Sequence, residues 1–114
     1  MTGELAATMN ALITASEAVS RLLDEAAHAL IIGDRDDCAR FLVRARTQLP
    51  GIAQIAQSGG WQKELDDLER ARQEWDAGEA SDDQVLKYDA LESMSDVCLS
   101  VRNGLANIMA DNMG

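Results

Sequence analysis

The side chains that could carry acid–base or metal chemistry are few and scattered along the chain. His28 is the single histidine, and with Glu25 it makes the Glu-x-x-His spacing that di-iron helical bundles use in two copies. The sequence has no second copy of that pair, no G-x-S-x-G nucleophile motif and no phosphate-binding loop. We therefore expect no catalytic residue, no metal, no cofactor and no enzymatic activity.

The two cysteines, Cys38 and Cys98, lie sixty positions apart. They have neither the close spacing nor the accompanying histidines of a zinc site. Free cysteine behaves as a small buried hydrophobic residue. We predict two reduced thiols packed in a core.

Carboxylates cluster between Glu64 and Glu69, where they could hold a cation. On a helix, however, these acids lie one turn from bases. The pairs predicted from this spacing are Asp66 with Arg70, Glu69 with Arg72, Arg70 with Glu74, and Arg72 with Asp76. Each pair is worth about 0.2 to 0.5 kcal/mol, so we interpret this face as solvated and locally stabilised.

The chain carries a net charge of −10, and most of the excess acid lies in its last third. Residues 73–114 hold nine acids against Lys87 and Arg102. This charge repels phosphate backbones, so we expect no direct nucleic-acid binding. The acidic stretch from Glu74 to Asp96 is either a solvated linker or a docking surface for a basic protein. The candidate contact residues in it are Asp82, Asp83 and Asp89.

Both tryptophans lie in "GGWQKELDDLERARQEW", fourteen residues apart, which places them on the same side of one helix. The stripe on that side consists of Trp61, Leu65, Leu68, Arg72 and Trp75. The pattern favours burial of both rings in a core. Yet Arg72 stands where a core would place leucine, and its guanidinium could lie over the Trp75 indole. The end of the stripe at Arg72 and Trp75 is therefore the first candidate for a partner-facing rim.

Three methionines lie late in the chain, at positions 94, 109 and 113. Methionine is adaptable and suits surfaces that repack around helical partners, although its usual place is the core. Met109 and Met113 are predicted as a contact segment or as part of a dimer interface.

The composition favours helices throughout, with abundant alanine, leucine, glutamate and arginine and one proline. A 4,3 rhythm of apolar residues predicts a first helix over residues 4–32, with Ser16 in one of its apolar positions. Thr2 can cap its start, and Gly33 stands where a left-handed residue would end it.

A second helix is predicted to follow the N-cap Asp34, with a break near Pro50. The third is predicted from Gly60 to Asp76, with "DAGEASDDQ" as the next connection. Within it Ser81 and Gln84 have the spacing of a capping box that would start the fourth helix. The apolar seam of the fourth helix is Leu91, Met94, Cys98, Val101, Leu105 and Ile108.

These elements predict one domain over residues 1–114, an all-α antiparallel bundle of four helices with left-handed, coiled-coil-like packing. No apolar run reaches the roughly 18 residues of a membrane span. The start "MTGELAATMN" carries an acid where a signal peptide would carry a base. We expect a cytoplasmic protein that does not enter a membrane.

The middle of the chain, from Ala56 to Arg72, reads A-x-x-G-G-W-x-x-x-L-x-x-L-E-x-x-R, about twenty residues. This stretch resembles the hairpin corner of the small flagellar and type III export chaperones. The chain differs in having Gly60 where an acid commonly precedes the tryptophan, and in placing the corner at mid-chain. The resemblance implies a helical bundle that holds an export substrate by helix-in-groove contact.

Three functional hypotheses follow. The favoured one is a non-enzymatic bundle that binds the amphipathic helix of another protein, as a small chaperone or adaptor. Its groove would be lined by residues of the tryptophan stripe or by the methionine-rich C-terminus. The second is an acidic inhibitor of the phage or antitoxin type, whose surface imitates a nucleic acid. The third is a self-associating structural bundle, with a homodimer as its simplest form.

Overall fold

The computed structural model describes the backbone of residues 2–113 and the side chains of residues 2–112. It contains four helices, α1 (Gly3–Ile31), α2 (Arg35–Gly59), α3 (Gln62–Ser81) and α4 (Gln84–Met113). The predicted all-α bundle is confirmed. Connections of two or three residues join the helices, which reverse direction at each one.

The first helix has the predicted ends. The Thr2 hydroxyl accepts a hydrogen bond of 3.1 Å from the backbone N–H of Leu5. Gly33 has a φ of +80°, the left-handed conformation expected after a helix. Ser16 is fully buried in the seam, where its hydroxyl donates to the carbonyl of Leu12 over 2.9 Å.

The predicted break at Pro50 is wrong, because α2 runs through that residue without interruption. Asp34 caps its start as predicted, accepting a 3.0 Å hydrogen bond from the N–H of Asp37. Proline inside a helix costs about 3 kcal/mol or more. Leu49 and Ile52, on either side of the exposed proline, are both buried. Their packing holds both halves of the helix against the core.

The third helix is longer than predicted at its C-terminal end. It continues to Ser81, so that only Asp82 and Asp83 connect it to α4. The Ser81 hydroxyl donates to the carbonyl of Ala77 over 2.8 Å, and the predicted capping box is wrong. Asp83 caps α4 instead, accepting from the N–H of Leu86 over 3.1 Å.

A buried glycine explains why α3 extends through a stretch that looks like a loop. A Cβ at Gly78 would lie 2.7 Å from Cγ of Lys87 and 3.1 Å from its backbone N. Gly78 therefore permits α3 to approach the start of α4 closely, which a larger residue would prevent. The predicted start at Gly60 is also wrong, since Gly60 ends α2 with a φ of +72°.

The core is shared mainly by α1 and α4, the two longest helices. The predicted seam of α4 is buried from Leu91 to Leu105, whereas Ile108 is 40 % exposed. Helix α1 packs on α2 and α4, and α3 packs on α4. Contacts between α2 and α3 are sparse. The bundle is thus closed along three sides and open along the side between α2 and α3.

Among the described residues, no helix combines the length and the apolar character that crossing a bilayer requires.

Candidate protein-binding groove

The open side of the bundle forms a hollow of about 650 Å³ between α2 and α3. Its floor is apolar and includes the buried side chains of Leu49, Leu68 and Met94. The half-buried Ala53 lies on its α2 wall. The remaining lining residues are Arg46, Pro50, Gln54, Gln57, Arg72 and Asp76. An apolar floor with a polar rim is the arrangement expected of a surface that buries a partner's apolar face.

A second hollow of about 310 Å³ continues along α2 toward its N-terminus. It is lined by aliphatic residues of α2, including Leu42 and Val43, and by the Trp75 ring of α3. Arg46 lines both hollows, so they are neighbours along α2. We call the two hollows together the α2–α3 groove.

An ion pair joins α2 and α3 across the groove. Nη2 of Arg46, on α2, lies 3.9 Å from Oε1 of Glu79, on α3. Glu79 also accepts a hydrogen bond from the indole N–H of Trp75. Both charged side chains are about half exposed. A surface pair of this kind contributes up to about 1 kcal/mol, so an occupant of the groove can displace it at small cost.

Trp75 is buried, which confirms for this ring the favoured interpretation of the stripe, and the alternative of an exposed rim at Trp75 is wrong. Its side chain is 5 % exposed and belongs to the core. The cations over its ring are Arg46, with Cζ 5.8 Å from the ring centroid, and Lys87, with Nζ 6.0 Å away. They come from α2 and α4, which the spacing within α3 could not indicate.

Arg72 lies away from the tryptophan ring that it was predicted to cover. Its guanidinium is exposed and forms a 3.1 Å ion pair with Glu69 one turn earlier on α3. This is one of the four predicted pairs. Elsewhere on this face the partners differ, since Arg70 binds Asp67 and Asp66 accepts from Gln62. Arg72 nevertheless lines the larger hollow of the groove.

Trp61 is a structural anchor at the corner between α2 and α3. It precedes α3 with non-helical backbone angles, so the two-heptad spacing to Trp75 does not place both rings on one helix face. A Cβ at Gly59 would lie 2.9 Å from the ring, and one at Gly104 would lie 2.8 Å from it. The indole therefore fits between two glycines and ties the corner to α4. Of the other stripe residues, Leu65 is half-buried and Leu68 is buried.

The acidic stretch from Glu74 to Asp96 is not a linker. Apart from Asp82 and Asp83 it is helical, forming the end of α3 and the start of α4. Asp82 lies 3.8 Å from a guanidinium nitrogen of Arg35 and 3.7 Å from Nζ of Lys87. Asp89 is exposed on α4. Asp82, Asp83 and Asp89 thus lie near one end of the bundle, outside the groove.

The methionines separate into a buried and a terminal set. Met94 lies in the floor of the groove, and Met109 is half-buried near the end of α4. The side chain of Met113 lies outside the described residues. Neither Met109 nor any other residue of the last two turns lines the groove.

Both cysteines are reduced and buried, as predicted. Burial raises the pKa of the Cys98 thiol to about 12 and also raises that of Cys38. A thiol with a raised pKa is a poor nucleophile at neutral pH, because the thiolate is the reactive form. The single histidine, His28, is exposed at the end of α1. Over the described part of the chain, no three His, Cys, Asp or Glu residues come together as metal ligands.

Several residues that shape the groove were missed from sequence. Arg46, Glu79 and Lys87 surround Trp75 but come from three helices. The glycines inside α3 and α4 were the available signal, because glycine within a helical pattern often marks a close approach. No comparable signal distinguishes Ala53 from other alanines on the helices.

Comparisons with protein-family models, with curated proteins and with solved structures found no match to this chain.

Proposed function

We propose that this protein binds an amphipathic helix of another protein in the α2–α3 groove, as a small chaperone or adaptor without enzymatic activity. The observation that supports this proposal is the open side of the bundle. Three of its sides are closed by helix packing, and on the fourth side a hollow lies over the core side chains of Leu49, Leu68 and Met94.

The dimensions of the groove suit a short helix. The larger hollow extends along α2 from Arg46 to Gln57, which is about 16 Å at the helical rise per residue, or three turns. The axes of packed helices lie about 8–10 Å apart, depending on the side chains at the contact. The small side chain of Ala53 on the α2 wall allows a close approach. A contact of three turns is small for a permanent complex, so the partner is expected to exchange.

The groove rim favours a helix with charges of both signs at its edges. Arg46 and Arg72 lie at the rim with Asp76, and Gln54 and Gln57 add amide donors and acceptors. Such side chains select register and orientation more than they add affinity.

The resemblance to the small flagellar and type III export chaperones supports the same proposal. Its motif residues form the corner at one end of the groove, with Trp61 against Gly59 and with Leu68 in the floor. Those proteins hold export substrates by helix-in-groove contact, which is the mode proposed here.

The proposal can be tested by site-specific photo-crosslinking in the native cell. A photoreactive phenylalanine analogue is introduced at Gln54, which is exposed at the groove rim, and as a matched control at Ala7, which is exposed on α1 and lines neither hollow of the groove. We expect the first variant to cross-link a partner through a segment with helical apolar spacing, and the control to give no such product. Cross-linking from both positions to the same proteins, or from neither, would contradict the proposal.

A further inference from the structure

The end of the bundle opposite Trp61 exposes a group of aliphatic side chains. Ile31 is 64 % exposed, Ile32 is 63 % exposed and Val85 is 71 % exposed. Ile31 and Val85 line a hollow of about 550 Å³ between the α1–α2 corner and the start of α4. Leu30 and Tyr88 complete its apolar wall. We call these five residues the end patch.

The end patch differs from ordinary exposed aliphatic residues because its members lie together. Single exposed aliphatic side chains are common on soluble proteins. Here three of the six large hydrophobic residues that are exposed on the described part of the chain lie at one end of the bundle, and Ile31 and Val85 line the same hollow. Grouping of this kind is typical of an interaction site.

Carboxylates outnumber bases near the α1–α2 and α3–α4 corners, at the end of the bundle that carries the end patch, and we call them its acidic rim. The acids at this end of the bundle are Asp34, Asp36, Asp82, Asp83 and Asp89. The cations beside them are Arg35, which lines the hollow, and Lys87, and the Asp82 carboxylate lies within 4 Å of both and offsets their charge in part. The remaining acids leave a net negative potential at this end of the bundle.

We infer that the end patch binds a basic amphipathic helix of a partner protein, with aliphatic residues in the hollow and lysine or arginine against the carboxylates. Charge complementarity identifies the occupant. A second copy of this chain would bring one acidic rim against another, which is repulsive. An anionic lipid surface would be repelled by the same rim. A β-strand would find no sheet edge here, because the elements around the patch are helices.

This surface is separate from the α2–α3 groove in its contacts. Among the described residues, the hollow at the end patch and the smaller hollow of the groove share Leu30 and Arg35 in their linings. The larger hollow, with Ala53, shares none of its lining with the end patch. Substitutions at Ala53 and at Val85 therefore distinguish the two sites.

The test uses two synthetic amphipathic peptides with the same leucine pattern, one with lysine and one with glutamate at the polar positions. Binding to the full chain is measured by calorimetry for the wild type and for Ile32→Ser, Val85→Ser and Leu5→Ser. Leu5 is a matched control, exposed near the other end of α1. All three positions are exposed, so the variants should fold, and circular dichroism checks this.

The lysine peptide is expected to bind the wild type and the Leu5→Ser variant equally. Its affinity should fall at least about tenfold in Ile32→Ser and in Val85→Ser, and should weaken with added salt. Ala53→Phe should leave this binding unchanged, so that failure here is distinct from failure of the groove. The inference would be overturned if the glutamate peptide bound equally well, if the patch variants had no effect, or if the lysine peptide did not bind up to millimolar concentration. Dimerisation of the chain through the end patch would also overturn it, as would binding to phosphatidylserine vesicles in place of the peptide.

Discussion

Trp75 is the residue on which the centre of the bundle depends most visibly. Its ring is buried, its indole N–H donates a hydrogen bond to Glu79, and cations from α2 and α4 lie over the ring. A tryptophan held by groups from three helices fixes their relative positions. It also forms a wall of the smaller hollow, so its packing determines the shape of the groove.

Truncation of this ring is expected to be costly. Trp75→Ala should lower the free energy of unfolding by about 3 to 5 kcal/mol, the usual cost of removing a buried aromatic ring. Urea denaturation measures the change. Arg72→Ala is the control on the same helix and should cost less than about 1 kcal/mol, because its ion pair is exposed. Equal effects of the two substitutions would show that the ring is not packed as described.

The Cys98 thiol is predicted to make stability fall at high pH. Burial raises its pKa from 9.0 to about 12, so the folded state retains a proton that the unfolded state loses in this interval. The stabilisation is complete below pH 9 and is lost as the pH rises toward 12, with a limiting slope of about 1.4 kcal/mol per pH unit. Urea titrations between pH 8 and 11 should show a shallower fall in Cys98→Ala than in the wild type. Parallel curves would refute the assignment.

At the scale of helices, the sequence predicts the features that local periodicity and capping determine. It does not predict helix ends and continuity that depend on packing against neighbouring helices. The span of α1, its caps and the seam of α4 follow from local patterns. The continuity of α2 through Pro50 depends on the burial of Leu49 and Ile52, and the length of α3 depends on the close approach at Gly78. The groove is less predictable still, because it results from the sparse contact between α2 and α3.

A pair of buried serines illustrates how α1 and α4 are held in register. The hydroxyls of Ser20 and Ser95 lie 2.7 Å apart, and Ser95 donates to the carboxylate of Asp24 over 2.8 Å. Both serines are almost fully buried, so this contact is specific to one alignment of the two helices. The helical spacing of apolar residues alone would also permit neighbouring alignments.

Substitution of Gly104, which lies against Trp61, is expected to lower stability, although helix propensity alone would favour alanine there. Alanine is preferred to glycine within a helix by about 1 kcal/mol. At Gly104, however, a Cβ would lie 2.8 Å from the indole, so Gly104→Ala should destabilise the protein by about 1 to 3 kcal/mol through overpacking. Thermal or urea unfolding measures this.

Gly51 provides a matched control for that prediction. It lies within α2, and a Cβ there would meet nothing within 4 Å. Gly51→Ala should therefore stabilise the protein by up to about 1 kcal/mol. If both substitutions stabilise, Trp61 does not anchor the corner in the way described.

At the scale of the whole molecule, the α2–α3 groove and the end patch lie on different sides of the bundle. The α2–α3 groove lies along the side of the bundle, and the end patch lies at the α1–α2 and α3–α4 corners. The groove has a rim of mixed charge, while the end patch has its acidic rim. A bundle of this kind could hold a longer partner, with one helix in the groove and a basic segment at the end.

Filling the α2–α3 groove with a larger side chain tests whether it holds a partner's helix. The segment identified by cross-linking from position 54 is synthesised as a peptide and titrated into the wild type, Ala53→Phe and Ala7→Phe. The phenylalanine at position 53 should occupy the hollow and weaken binding at least about tenfold, whereas the change at the exposed position 7 should leave the affinity unchanged. Equal affinity of all three folded proteins would contradict this role of the groove.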